Sequence, residues 1–456
     1  MIKPPNGWLY LWWQASPSLH SPYYICPMTS AELYQVYLAH PSIQTDTRKL
    51  KEGDIFFALK GDNFNGNAFA GAALEAGAAY AVIDEAPYVS GSRTILVDDV
   101  LTALQQLALH HRRQFAIPFI AITGSNGKTT TKELVHAVLS TTYRTYTTEG
   151  NLNNHIGIPL TILKVRADAE MAVIEMGANH QKEIEGYCQY TEPTHGLITN
   201  LGKAHLEGFG GVEGVRKGKG ELFEYLRAHE GTAFVMCDDE HLRAMSLGIE
   251  TVIRYGRKEG DVTGQAVASA NVEGEAFLHV QPEKGLGTGI IHTQLVGDYN
   301  LPNVLAAIAV GKCFGVKEDL IRSAIEGYRP ENSRSQLVEK DGNHIILDAY
   351  NANPSSMRAA IENFARIPAR QKVLMLGAMA ELGSESLEEH RSIAALIAQY
   401  PWKAVVLVGG DFAKIDHPFI QLNNSVAARE WLQKQGFTDT HLLIKGSRSM
   451  QMEKVL

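Results

Sequence analysis

Short apolar runs of four to six residues recur along this chain, closed by turn-forming residues and followed by longer stretches with helical spacing. Runs of this kind predict strands buried on both faces of a parallel sheet, with crossover helices between them. From residue 28 to about 110, strands are expected at 54–59, 80–83 and 94–97. Helices are expected at 69–78 and 101–114, and from a Thr29 or Ser30 cap through Ala39. A second series, about 115–330, has strands at 117–122, 171–174, 196–199, 233–236 and 251–255. Alternating β-type runs with glycine turns then fill about 262–296, before a helix at 301–313 with Pro302 in its first turn. A third series starts near 331, with strands at 344–347, 373–376, 404–408 and 442–444 and helices at 355–365, 386–399 and 426–435.

The pattern therefore predicts an α/β protein of three domains. These are a small N-terminal α/β domain (28–112), a central doubly wound domain with an antiparallel annex (113–330) and a C-terminal Rossmann-like domain (331–456). Residues 1–27 break the pattern. Gly7-Trp-Leu-Tyr-Leu-Trp-Trp13 is apolar but too short to span a bilayer, and no small-residue cleavage site follows it. The expectation is an upstream extension outside the chemistry, with Met28 as the natural beginning.

Composition narrows the function. With 45% hydrophobic and 20% charged residues the chain reads as a soluble globular protein, and no apolar stretch suggests membrane insertion. A formal charge of −8 argues against a nucleic-acid binder. Cys26, Cys188, Cys237 and Cys313 are far apart, which excludes a zinc knuckle or disulfide scaffold and points to reduced, cytoplasmic thiols.

The most informative stretch is Thr123-Gly-Ser-Asn-Gly-Lys-Thr129. An apolar run ends at Gly124-Ser125-Asn126-Gly127, and a helix is expected to begin at Lys128. Strand, glycine loop and helix N-terminus form a site for polyphosphate, with Lys128 adding a full positive charge. Thr129, followed by Thr130, is placed to offer a hydroxyl to Mg²⁺. The common phosphate loop would need glycine at position 122, where this chain has Ile122. The alternative is a plain Gly-Asn turn with Lys128 solvated. ATP is the expected ligand, and the central domain a P-loop-type ATPase domain.

Glu175 falls at the end of an expected strand, so it shares a crevice with the phosphate loop and suits Mg²⁺; a solvated acid or N-cap partner is the alternative. His205 follows another strand end, as a metal or phosphate contact or a structural histidine. Lys219 reads as part of a basic loop, either touching phosphate or solvated. A neutral, partly buried lysine can also react with CO₂ to give a carbamate, an oxygen ligand for a second Mg²⁺. The amide-rich segments Gly150-Asn-Leu-Asn-Asn154, with Asn151, Asn153 and Asn154, and Asp348-Ala-Tyr-Asn-Ala-Asn-Pro354, with Asn351 and Asn353, suit a polar substrate or ordinary capping.

On these motifs, with Glu175-Met-Gly, Asn200–His205, Lys219-Gly-Glu221 and Asn300-Leu-Pro-Asn303, residues 28–456 resemble the Mur ligases, ATP-dependent amide-forming enzymes of bacterial peptidoglycan synthesis. The Asn151–Asn154 and Asp348–Ser355 segments and the ending Lys445-Gly-Ser-Arg-Ser resemble the branch joining D-alanyl-D-alanine to UDP-N-acetylmuramoyl-tripeptide. The resemblance implies two Mg²⁺ ions, Lys128 on the γ-phosphate, and Thr129, Glu175, His205 and a carbamylated Lys219 as metal ligands. It also implies Asn303 at adenine, Arg334 and Asp348 at phosphate and ribose, and Asp46-Thr47-Arg48 at the UDP part. A cytoplasmic monomer is expected. Thr47, Asn65-Gly-Asn67, Gly218 and Tyr299 depart from the family's commoner residues. A sister ligase adding another amino acid, a folylpolyglutamate-synthetase-like ligase, a non-catalytic nucleotide binder and an NTPase motor remain as rivals.

Overall fold

The computed structural model describes residues 28–267, 277–331 and 333–456. The expected extension at 1–27 and the 268–276 part of the annex lie outside the described residues. Three main sheets follow one another along the chain. The first has four parallel strands, in the order Ile43–Gln44, Ile55–Phe57, Tyr80–Ile83, Thr94–Leu96.

The second has nine strands and carries the site. Phe119–Thr123 lies between His195–Ile198 and Met171–Glu175, parallel to both. Thr145–Thr147 closes the edge beside Met171–Glu175. On the other side Thr232–Met236, Thr251–Gly256 and Val262–Val267 continue in parallel. Phe277–Lys284 and Ile291–Val296 then run antiparallel, forming the annex. Every residue of Phe119–Thr123 and Met171–Glu175 is buried, as expected of a sheet covered on both faces. Burying side chains such as Ile120 and Ile122 stabilises the sheet by about 1.5–3 kcal/mol each.

The third sheet has six strands, in the order Gln336–Lys340, Asn343–Asp348, His441–Lys445, Lys372–Gly377, Ala404–Val408, Ile420–Leu422. Only its first strand is antiparallel to its neighbour.

Several expectations need correction. The helix expected at 69–78 is a 3-10 turn, Gly66–Phe69, followed by a shorter helix, Ala70–Glu75. The strand expected at 54–59 spans only Ile55–Phe57. The amide-rich loop ends at a helix, Gly157–Leu163, with Pro159 in its first turn, where its missing N–H costs nothing. Lys219 is on no loop: it sits within the helix Val212–Ala228. That helix carries Gly214, Gly218 and Gly220, and glycine weighs against helix in any sequence reading. Packing demands two of them: a Cβ at Gly214 would lie 1.8 Å from the Phe209 carbonyl oxygen, and one at Gly218 would lie 2.4 Å from the Phe209 ring.

Candidate active site

The ends of Phe119–Thr123, Met171–Glu175 and His195–Ile198 open on one side of the central sheet. The ends of Asn343–Asp348 and His441–Lys445 reach the same space. Between them lies a cavity of about 540 Å³. Its wall includes Lys128, Thr129, Glu175, His205, Asn303, Arg334, Asp348 and Lys445. Ser125, Asn126, Gly127, Thr130, Asn151, Asn153, Asn154, Asn351 and Asn353 also line it.

Local sequence dictates the loop. Gly124 (φ 140°) and Gly127 (φ 78°) are in backbone regions that side chains disfavour. A Cβ at Gly124 would fall 2.0 Å from Thr199 Oγ1, and one at Gly127 2.7 Å from Asn303 Oδ1. The next strand end latches the loop. Ser125 N donates to the Asn200 carbonyl at 3.0 Å and Asn126 N to Asn200 Oδ1 at 3.0 Å. Ser125 Oγ donates to the Gly202 carbonyl at 2.8 Å, and Thr199 Oγ1 to the Asn126 carbonyl at 2.6 Å. The half-buried Lys128 curls back over this loop, its Nζ 2.8 Å from the Gly124 carbonyl. Burial lowers the Lys128 pKa; Glu175 opposes that shift and Arg334 adds to it.

Beneath the loop Glu175 is 1% exposed. Its Oε1 accepts from Thr129 Oγ1 at 3.1 Å and from Asn153 Nδ2 at 2.8 Å. Its Oε2 is buried with no hydrogen-bond partner among the described residues. An orphaned carboxylate oxygen is costly to bury, and a hard cation is the partner that would satisfy it. The donor set of Thr129 hydroxyl and Glu175 carboxylate thus fits Mg²⁺.

His205 has a left-handed backbone (φ 53°), and its Nδ1 lies 2.5 Å from Glu381 Oε2 on the third-sheet side. This contact holds the Glu381 carboxyl below its usual range despite burial. Lys219 does not line the cavity. It lies behind Ala178, to whose carbonyl its Nζ donates at 3.0 Å, and faces the Phe209 ring at 4.9 Å. Burial pushes its pKa well below the usual lysine value; Lys128 adds to this, and Glu183 and Glu221 oppose it. The lowered pKa favours the free amine, the form that reacts with CO₂.

Asn303 accepts from Thr131 Oγ1 at 3.1 Å and donates to Asn300 Oδ1 at 2.8 Å. On the third-sheet side the Arg334 guanidinium stacks on the Tyr350 ring, 3.6 Å from its centroid. Asp348 pairs with the buried Lys445 at 2.6 Å. Asn353 has two roles: its Oδ1 caps the helix Pro354–Arg366 through Ser356 N, and its Nδ2 donates to Asn126 Oδ1 at 2.7 Å. Just ahead of the helix Gly157–Leu163, Asn154 Oδ1 accepts from Ile156 N at 3.1 Å and Gly157 N at 2.9 Å. Asn351 accepts from Ala352 N at 2.9 Å.

Asp46, Thr47 and Arg48 stand apart from the cavity. Asp46 caps a 3-10 turn, Thr47–Lys49, and accepts from Nε and Nη2 of the exposed Arg48, both at 2.8 Å. Those hydrogen bonds hold the Asp46 carboxyl at about 2. Asn67 is fully buried and bonds Asp84 at 2.8 Å, so Asn65-Gly-Asn67 is scaffold. Asn200, Tyr350 and Lys445 fell within motifs but were given no role of their own from sequence, and Glu381 was not singled out. Asn200 and Lys445 were findable, since both sit at parallel strand ends; Tyr350 and Glu381 gain meaning only from what packs against them.

A parallel sheet offering a glycine loop and a buried carboxylate at one rim, faced by a second α/β sheet, defines a phosphate-handling α/β protein. Three family descriptions match: "Mur ligase family, catalytic domain" over residues 41–112, "Mur ligase middle domain" over 122–311, and "Mur ligase, glutamate ligase domain" over 333–447. The chain belongs to the Mur ligase family and has its three-domain architecture. It is 34% identical to the UDP-N-acetylmuramoyl-tripeptide–D-alanyl-D-alanine ligase of Bacillus subtilis (strain 168), over 93% of this chain and 96% of that one. Its fold is similar to MurF from Acinetobacter baumannii, with TM-score 0.82 and 29% identity over 94% of this chain and 98% of that one. MurF ligase from Thermotoga maritima, solved in complex with ADP, also gives TM-score 0.82, at 26% identity over 92% of this chain and 96% of that one. Among the described residues no helix is long and apolar enough to cross a membrane.

Proposed function

We propose that this protein is a cytoplasmic, monomeric, ATP-dependent ligase that joins D-alanyl-D-alanine to UDP-N-acetylmuramoyl-tripeptide in peptidoglycan precursor synthesis. The observation that carries the reading is the 2.7 Å bond between Asn353 and Asn126, which brings the third-sheet loop onto the phosphate loop. A phosphoryl donor and an attacking amine can then meet in one cavity. The curated relatives bear the name of this activity, and the amide-rich loops on both sides suit its polar substrates.

A carboxylate is a poor acyl donor, because oxide would have to leave. Attack of the tripeptide carboxylate on the γ-phosphorus of ATP forms a C–O–P link and releases ADP. The amine of D-alanyl-D-alanine then attacks the acyl carbon; the C–O bond to phosphate breaks and an amide remains. Lys128 and the N–H groups of Gly127 to Thr130, at the start of the helix, hold the transferred phosphoryl, while Ser125 N and Asn126 N stay bonded to Asn200. Asn303 faces adenine, with Arg334 and Asp348 at phosphate and ribose. Asp46, Thr47 and Arg48 take the UDP part, and Asn151, Asn153, Asn154, Asn351 and Asn353 the peptide and amine. Thr129 and Glu175 hold one Mg²⁺, and His205 with a carbamylated Lys219 helps hold a second. Carbamylation joins CO₂ to the neutral Nζ with loss of a proton. Bound Mg²⁺ supplies positive charge against phosphate oxygens. The central unit (113–330) and the C-terminal unit (331–456) face each other across the cavity and exclude water from the acyl phosphate, while the N-terminal unit (28–112) stands to one side with the UDP part.

The test is amine-dependent phosphate release with UDP-N-acetylmuramoyl-tripeptide and a panel of amines. Turnover with D-alanyl-D-alanine is expected. Turnover with L-glutamate or a diamino acid, and none with D-alanyl-D-alanine, would move the protein to a sister ligase or a folylpolyglutamate-synthetase-like activity.

A further inference from the structure

His205, on the wall of the cavity, is met by a residue from the third-sheet side. It precedes the short helix Leu206–Phe209 with a left-handed backbone (φ 53°), and Glu381, beyond the strand Lys372–Gly377, has another (φ 62°). Residues other than glycine rarely adopt this conformation, and it persists where the surroundings over-determine it. Together the two turns bring His205 Nδ1 to 2.5 Å from Glu381 Oε2. Nothing else among the described residues partners that nitrogen. Glu207 N also donates to the Glu381 carbonyl, at 3.3 Å.

The Glu381 loop is fixed from behind. Ser447 Oγ donates to the Ala378 carbonyl at 2.6 Å. Met379 N donates to Nε2 of the fully buried His390 at 3.1 Å, and His390 Nδ1 donates to the Ser386 carbonyl at 2.7 Å. His390 stands on the helix Ser386–Ile397 beside Glu389, which accepts from Lys203 Nζ at 2.5 Å. One strand, loop and helix of the C-terminal unit thus hold Lys203 and His205, two residues apart on the central unit.

An ionised carboxylate only accepts hydrogen bonds, so the proton in this contact sits on Nδ1 and Nε2 keeps its lone pair. A carboxylate on the far ring nitrogen fixes both tautomer and ring orientation of a metal-binding histidine and raises its basicity. Resting on the reading of His205 as a contact of the second Mg²⁺, we propose that Glu381 is its positioning residue, supplied by the C-terminal unit. The second metal site then reaches full affinity only with that unit docked, which ties metal binding to closure over the cavity. Glu381 does not line the cavity and acts only through His205. Glu389 provides the contrast: it clasps the same segment through Lys203 and does not touch the imidazole.

The experiment titrates Mg²⁺ calorimetrically into wild type, Glu381→Ala, Glu381→Gln and Glu389→Ala, each with β,γ-methylene-ATP. Tm of each variant is the control for folding, and the half-saturating Mg²⁺ concentration for phosphate release is measured beside it. Wild type is expected to bind two Mg²⁺ ions. Glu381→Ala should weaken the second by about 10- to 100-fold, and raise half-saturating Mg²⁺ by a similar factor, with Tm near wild type. Glu381→Gln, whose amide oxygen still accepts from Nδ1, should restore most of that affinity, and Glu389→Ala should lose much less of it. Equal weakening by Glu381→Ala and Glu389→Ala would overturn the assignment in favour of a plain clasp, as would unchanged Mg²⁺ affinity in Glu381→Ala. A wild type that binds a single Mg²⁺ would instead overturn the reading of His205 as a metal contact, and the assignment with it.

Discussion

The phosphate loop and the Asp46–Arg48 turn both follow a parallel strand, and both carry a cation beside a carboxylate, yet they are built in opposite ways. Around the loop, Thr129 and Glu175 are buried, the backbone is latched by Thr199 and Asn200, and one carboxylate oxygen is left without a partner among the described residues. In the turn, Asp46 and Arg48 satisfy each other in the open, and Arg48 is 87% exposed. The first is preorganised, so little rearrangement remains when charge develops on a phosphoryl group. The second is a self-neutralised surface pair that must exchange partners to grip a ligand, and exposed pairs of this kind contribute little to stability.

The contrast can be broken most sharply at the loop. Lys128→Ala should lower the phosphate-release rate at least about 10³-fold, the scale of lost electrostatic stabilisation of a transferred phosphoryl, while Tm and circular dichroism stay near wild type. Retained turnover would remove Lys128 from the chemistry. Glu175→Gln keeps the shape but removes the charge. The rate should fall by about 10²- to 10³-fold, and ADP binding, followed calorimetrically, should lose its dependence on Mg²⁺.

A smaller effect is expected at the exposed turn. Arg48→Ala should raise KM for the UDP-linked substrate by about 10-fold, the worth of one charged hydrogen bond, with kcat and Tm nearly unchanged. A large fall in Tm would show that the turn is structural and erase the contrast.

The smallest expected effect is on stability, and it probes the buried end. Burial lowers the Lys219 pKa well below its ordinary value in the folded chain, whereas the unfolded chain keeps its proton there up to the ordinary lysine pKa. The unfolded state binds more protons in that window, so stability rises with pH from the lowered pKa up to the ordinary one. Lys219→Met should flatten that rise and raise Tm near neutral pH by about 2–4 °C, while activity is lost. An unchanged profile of Tm against pH would mean that the Lys219 pKa is not lowered.

Much of this was readable in advance because it is local. A strand that stops at glycine, a lysine opening a helix and a carboxylate at the next strand end follow from hydrophobic period and turn chemistry. The helix expected at 301–313 is found as Leu301–Cys313, because alanine-rich apolar spacing and an early proline agree. Lys219 was misread because the three glycines of its helix argue against helix locally, and the reason for two of them, the Phe209 segment, lies outside that helix. Asp46 to Arg48 were readable as a motif, but not as a pair that satisfies itself.

From the sequence alone came the strand ends that would carry chemistry, the glycines the loop requires and the division into three α/β series. These depend on neighbours a few residues apart, whose spacing is itself the information. Tertiary structure decided that Lys219 is buried with no acid in contact among the described residues, that Glu175 keeps an orphaned oxygen, and that Asn353 meets Asn126 from 227 positions away. Burial and long-range contact are properties of the packed whole, set by which surfaces exclude water together, and no local pattern encodes them.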